Sequence, residues 1–280
     1  MIYFNENNHA DITNSTFSRN TADGYGGALR IHNVPANNTV SVVNSTFYGN
    51  SGAPRGAIGS ENPKTLLVNC VFASNVSIGV PEAADVGGTY NPDSAGNVFQ
   101  STPDVEGLDP AKNLCDVDPL LGPLADNGGP TLTHALLPGS PAIDAGVTAL
   151  AVSADGTPLE HDQRGLFYPR VLGKAVDSGA VEYLFGDADG DNIVGGSDLD
   201  AVRANWGEKV DPFDLMHGDL SGDGIVNSDD LDLVRANWGI GTLTTCPVRA
   251  AAFAALAEAE RDSVENDEDQ EMSPLPWMER

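Results

Sequence analysis

A 22-residue segment occurs twice near the C-terminal end of the chain. GDADGDNIVGGSDLDAVRANWG starts at Gly186, and GDLSGDGIVNSDDLDLVRANWG starts at Gly218, with 15 of 22 positions identical. Each copy places oxygen-bearing side chains at alternate positions of a 12-residue loop and closes that loop with an Asp. A short amphipathic helix is predicted after each loop. Leu199, Val202 and Trp206 fall at i, i+3 and i+7, as do Leu231, Val234 and Trp238, giving one apolar face per helix. On that spacing the two tryptophans are expected in the core, packing the helices together rather than forming a sugar-stacking platform.

Charge sharpens this reading. The chain carries a formal net charge of -27, and 13 acidic residues stand against 3 basic ones between Gly186 and Gly239. Carboxylates at this density repel one another unless cations sit among them. The acidic balance also argues against nucleic acid, whose phosphates need a basic surface.

The alternating oxygens have the ligand spacing of an EF-hand-type calcium loop. Two Ca²⁺ ions are expected. In the first loop the ligands would be Asp187, Asp189, Asp191, the carbonyl of Ile193, and Asp198. In the second they would be Asp219, Ser221, Asp223, the carbonyl of Ile225, Asn227 and Asp230. Gly224 supplies the sharp turn of loop two; Asn192 replaces it in loop one and tolerates positive φ better than most residues. Gly195 offers no side chain at the ninth position, so water serves there. A module this small has little core of its own, and metal binding should supply much of its folding free energy.

This duplicated loop and helix resembles a type I dockerin, the module that docks proteins onto cohesin domains of a scaffold. The resemblance implies a cohesin-like or surface-scaffold partner. It places partner contacts at Gly196, Ser197, Arg203, Ser228, Asp229 and Arg235. The Ser/Thr pair typical of cellulosomal dockerins is absent. Near-identity of the halves would permit docking in two orientations related by a pseudo-twofold axis.

The N-terminal third repeats differently. Asn14-Ser15-Thr16-Phe17-Ser18-Arg19-Asn20 returns as Asn44-Ser45-Thr46-Phe47-Tyr48-Gly49-Asn50 and, more loosely, as Asn69-Cys70-Val71-Phe72-Ala73-Ser74-Asn75. Recurrence at Asn14, Asn44 and Asn69, with apolar residues in short β-type runs, implies stacked units. Ile12, Val42 and Leu67 are expected in one internal column and the phenylalanines in another. Asn20, Asn50 and Asn75 are expected to form a corner ladder. Asn14, Asn44 and Asn75 head N-x-S/T sequons, read here as turn residues. These units resemble those of bacterial polymorphic outer-membrane proteins. The implied fold class is mainly β: a right-handed parallel β-helix with a small α-helical, EF-hand-like C-terminal domain. A naked first coil needs covering, so Met1 reads as the start of a truncated product, its signal peptide lost; Ile2–Phe4 as a cap is the alternative.

Between about Gln100 and Tyr183 the repeat loosens. Asp118-Pro119-Leu120-Leu121-Gly122, Asn127-Gly128-Gly129-Pro130-Thr131, Ser140-Pro141-Ala142-Ile143-Asp144-Ala145-Gly146, Asp162-Gln163-Arg164-Gly165 and Asp177-Ser178-Gly179-Ala180-Val181-Glu182 follow in order. This series resembles the C-terminal region of bacterial β-helix surface proteins with choice-of-anchor domains. Two turns are predicted, at Asn127–Pro130 and at Ser140-Pro141. Leu132, Leu136, Leu137 and Ile143 are core candidates. Asp144, Asp162, Arg164, Asp177 and Glu182 could gather into an ionic cluster near the end of the coils. That cluster is read as structural, with Arg164 pinning the last turns, ahead of a glycosidase or lyase site. His9, His32 and Arg30 are read as surface residues of the coils.

The expected organisation is therefore coils over 1–100, a capping region over 101–184, the calcium repeat over 186–240, and an Ala-rich helix with an acidic tail over 241–280. Cys70, Cys115 and Cys246 make no zinc spacing and are read as free or buried thiols, a Cys70–Cys115 bridge being the alternative. No apolar run reaches the length of a transmembrane segment. Two functions remain open. One is a secreted or cell-surface protein of a bacterium, held to its partner through calcium and the repeat. The other is a polysaccharide-degrading enzyme (glycoside hydrolase or lyase) carrying a dockerin, with no catalytic residue located. Polysaccharide is thus a second candidate partner.

Overall fold

The structure is a computed structural model and describes residues 9–32, 38–79, 85–101 and 105–241. The expected cap at Ile2–Phe4, Cys246, and the helix and tail beyond residue 241 lie outside the described residues. The fold is mainly β, with two α-helices among the described residues. A compact unit runs to Gly241 and includes the duplicated loop-and-helix segment; no division falls at residue 186.

The N-terminal repeats each send one strand into each of three parallel sheets. The first sheet joins His9–Thr13, Thr39–Val43 and Thr65–Val68, in a register that pairs Ile12 with Val42 and Val42 with Leu67. The second joins Thr16–Ser18, Thr46–Tyr48, Val71–Ala73, Val98–Phe99 and Leu114–Cys115. The third joins Leu29–Ile31, Ile58–Ser60 and Val86–Gly88. A side chain therefore meets its own repeat above and below. Phe17, Phe47, Phe72 and Phe99 form a stacked column with ring centroids 4.8 to 4.9 Å apart. Strand spacing of about 4.8 Å sets that distance, so each ring lies flat on the next.

The corners repeat as well. Oδ1 of Asn50 accepts from the backbone and side-chain N–H groups of Asn20 at 3.0 and 2.9 Å, and Oδ1 of Asn75 accepts from those of Asn50 at 2.9 and 3.1 Å. The expected ladder is present, and it satisfies turn backbone that would otherwise be buried unpaired. A second set of corner asparagines accompanies it. Asn14, Asn44 and Asn69 all turn the chain at positive φ, 44°, 47° and 52°. Asn pays little steric penalty there.

This second corner receives the segment that follows the coils. Nδ2 of Asn14 donates to the carbonyl of His161, Nδ2 of Asn44 to that of Asp177, and Nδ2 of Asn69 to that of Val147. Residues 141–184 thus lie along the side of the stack, from its first coil to the coil containing Gly96, whose carbonyl accepts from Ser178 Oγ. The sequence places them at the end; hydrogen bonds place them as a lateral strap.

Between coils and strap, a hairpin of Leu121–Ala125 and Thr133–Leu136 pairs antiparallel around the predicted Asn127–Pro130 turn. Alternation along the second sheet then fills two cores. Phe72 and Phe99 point into the stack, while Val71 and Val98 point out and pack with Leu136 and Ala142. Leu137 follows the buried Leu136 and is exposed, and Leu132 sits exposed beside the hairpin turn, so neither is the core residue the sequence suggests. Cys70 is buried and Cys115 half-buried, both as free thiols. Burial pushes the Cys70 thiol up to about 12. No helix among the described residues is long and apolar enough to cross a membrane.

Candidate metal centre

The two loops are built on one hydrogen-bond scheme. In loop one, Asp187 accepts from the N–H groups of Gly190 and Asn192, both at 3.0 Å. In loop two, Asp219 accepts from Gly222 and Gly224 at 3.0 Å each. Asp191 accepts from Ile193 and Asp223 from Ile225, both at 2.8 Å. The closing acids match too. Asp198 accepts from Ala188 and Gly195, and Asp230 from Leu220 and Asn227, at 2.6 to 2.8 Å. Backbone donors so arranged orient each carboxylate within its loop. Asn192 and Gly224 make the sixth-position turn at φ of 65° and 78°, as expected.

Carboxylates converge most closely in loop one. Ligand oxygens of Asp187, Asp189 and Asp191 lie within 4.8 Å of one another, close enough to hold a metal ion. Burial, with the charges of Asp198 and Asp191 adding to it, pushes the Asp187 carboxyl up to about 7. Asp191 is also raised, by burial and by Asp189 and Asp198. An all-oxygen donor set of three acids, Asp187 half-buried and Asp189 and Asp191 exposed, suits a hard divalent cation. In loop two Ser221 stands where loop one has Asp189, and its Oγ donates to Oδ1 of Asp219 at 3.3 Å. Asn227 is differently employed from its expected role. Its Oδ1 caps the second helix by accepting from Asp229 N–H, and its Nδ2 donates to Asp223 and to the Ile225 carbonyl. The amide nitrogen, not the oxygen, thus faces the ligand oxygens.

Helices α1 (Gly196–Ala204) and α2 (Ser228–Ala236) follow the loops. Val202 and Val234 are fully buried, with Leu199 and Leu231 packed beside them. The tryptophans are not. Trp206 is 53% and Trp238 55% exposed, which overturns their expected place between the helices. Each helix ends two residues before its Trp, so the helical periodicity that carried the expectation has already stopped. The residues named as partner contacts, Gly196, Ser197, Arg203, Ser228, Asp229 and Arg235, are all exposed. Arg203 lies 3.9 Å from Asp200, and Arg235 3.3 Å from Asp232, one matched pair on each helix.

The ionic cluster of the strap is enclosed. Asp162 pairs with Arg164 at 2.6 Å and Glu182 with Arg170 at 2.5 Å, with all four side chains buried. Asp177 accepts from Asp144 N–H and Tyr183 N–H. Asp144 is only half-buried, and its Oδ1 accepts from the N–H groups of Lys174 and Ala175. Arg170, the largest fully buried side chain among the described residues, gives no signal in the sequence, where it stands alone after Pro169. Burial raises Asp177 to about 7 and Glu182 to about 8, against the pull of Arg170. These buried groups bond the strap to itself and to the coils, as the structural reading expects. His9 and His32 lie exposed beside Asp11 and Glu61.

No protein-family model, no curated protein and no solved structure matches this chain.

Proposed function

We propose that this is a calcium-binding protein of the dockerin type, in which a parallel β-helix is carried and a duplicated calcium module makes the attachment. One observation carries the reading. The loops opening at Gly186 and Gly218 repeat the same backbone-to-carboxylate scheme, and each leads into the same short helix. Two Ca²⁺ ions would be held, by Asp187, Asp189, Asp191 and Asp198 and by Asp219, Ser221, Asp223 and Asp230, with the Ile193 and Ile225 carbonyls. Bound calcium would neutralise carboxylates that otherwise repel. The coil register, pairing Ile12 with Val42 and Val42 with Leu67, supports the β-helix.

The partner would be a cohesin-like domain or surface scaffold. The matched exposed faces of α1 and α2, each with its Arg and Asp, support attachment in either of two orientations. An extracellular or cell-surface setting keeps loops of modest affinity loaded, because calcium there is millimolar-range. Calorimetric titration tests the metal reading: two ions per chain are expected, and none would remove it. Capture by immobilised cohesin domains, abolished by chelator, tests the partner.

A further inference from the structure

A cleft of about 770 Å³ opens between the strap and the calcium repeat. Its size is that of a small-molecule site. The strap supplies Asp144, Lys174 and Tyr183, with Phe185 just beyond its end; the repeat supplies Phe213 and Asp229. Tyr183 and Phe185 meet edge to face at 4.9 Å, so the cleft shows both a ring face and a ring edge. Phe213 adds a third ring and is held in an unusual way. Its backbone adopts φ 63°, a strained conformation for a bulky residue, and its N–H donates to Oδ2 of Asp219 at 3.0 Å. Its ring lies against Gly222, where any side chain would collide: an added Cβ would stand 2.3 Å from Cζ. Gly173, at φ 87°, keeps the opposite wall clear; a Cβ there would come within 2.8 Å of Asp144 Oδ1 and 3.1 Å of Phe185 Cε2.

Polar ends in the cleft are left unused. The Lys174 ammonium, Oδ2 of Asp144, the Tyr183 hydroxyl and the Asp229 carboxylate have no hydrogen-bond or ion-pair partner among the described residues. A lipid-like ligand would leave all four unsatisfied. An acidic one would meet two carboxylates against one ammonium, on a chain already at -27. A sugar ring presents C–H faces to aromatic rings and hydroxyls that both donate and accept. We propose that this cleft binds a segment of neutral oligosaccharide, with Tyr183, Phe185 and Phe213 as its apolar walls and Asp144, Lys174, Asp229 and the Tyr183 hydroxyl as its polar contacts.

The test is calorimetric titration of the full chain, in saturating calcium, with hexasaccharides of neutral β-1,4-glucan, xylan and mannan. Polygalacturonate and an aromatic-rich hexapeptide are run alongside. Saturable binding of at least one neutral sugar is expected. Lys174→Ala and Asp229→Asn alter exposed side chains without protein partners, so both variants should fold. Each should weaken binding about tenfold, the loss of one charge-assisted hydrogen bond. Silence of every neutral sugar, unchanged affinity in both variants, or binding of the acidic polymer or the peptide alone overturns the proposal. The calcium stoichiometry of the same samples is read separately, so a chain that takes sugar but no calcium sinks only the metal reading.

Discussion

Nη1 of Arg170 donates to Oδ1 of Asn14 at 3.1 Å, joining positions far apart in the sequence. The same guanidinium pairs with Glu182 and donates to the carbonyls of Ala180 and Asp177. One buried side chain therefore fastens the strap to the first described coil. Arg170→Met should cost about 3–5 kcal/mol in denaturant unfolding at about pH 9, where Glu182 is ionised and is left buried without its countercharge. Adding Glu182→Gln should recover part of that loss; a double variant as unstable as the sum of the singles would contradict it.

Asp187→Ala with Asp219→Ala should abolish calcium binding, and an unchanged titration would withdraw the ligand assignment. The two single variants should differ. Asp219 also holds the Phe213 backbone, so its loss should alter the amide environment of residues 211–215 even without metal.

Calcium removal should not act on the repeat alone. Leu172 and Leu184 of the strap share one buried cluster with Val194, Val202, Leu220, Val226 and Val234. If the repeat depended on metal independently of its neighbours, chelation would unfold 186–239 and leave the coils folded. The shared cluster instead predicts that hydrogen exchange in chelator rises over residues 172–184 as well as 186–241, while 39–73 stay protected. Exchange that stops sharply at Gly186 would count against this coupling.

Acid should affect the apo and loaded protein oppositely. Asp177, Glu182 and Asp187 have folded values of about 7, 8 and 7, above their ordinary 3.8, 4.5 and 3.8. Between those limits the folded chain binds more protons than the unfolded one, so stability in chelator should fall as pH rises from about 4 to about 8. Calcium must displace the Asp187 proton, so its affinity in loop one should be roughly tenfold weaker at pH 6 than at pH 8. Denaturant unfolding and titration across that range check both signs.

The tryptophans offer a simple control. Trp206→Ala and Trp238→Ala should each change stability by no more than about 0.5 kcal/mol, as exposed positions do. Val202→Ala and Val234→Ala remove fully buried side chains and should each cost more than about 1 kcal/mol. Thermal melts in calcium compare them directly; a large loss from either Trp variant would return that residue to the core.

Much of this architecture could be read from residues alone, for a physical reason. Where a chain stacks upon itself, each coil must present the same side chain at the same place, so Phe17, Phe47 and Phe72 announce their column and Asn20, Asn50 and Asn75 their ladder. The loops were legible as a duplicated turn for the same reason, since the two copies place oxygen-bearing side chains at the same positions. What occurs only once leaves no such trace. Arg170 has no counterpart elsewhere in the chain, and nothing local says that residues 141–184 double back beside the coils. The cleft joins Lys174 to Asp229, which stand far apart in sequence and on two kinds of structure. Trp206 and Trp238 show the limit of periodicity, which says nothing once the helix beneath it has ended.

The strap gives the stack a property that its own sheets cannot. Coils that touch only their immediate neighbours can fray from an exposed end, one rung after another. Here Asn14, Asn44, Asn69 and Gly96, each on a different rung, are all tied to one continuous thread. Peeling any rung away requires that thread to be drawn out first, so under load the column should give way all at once rather than unzip.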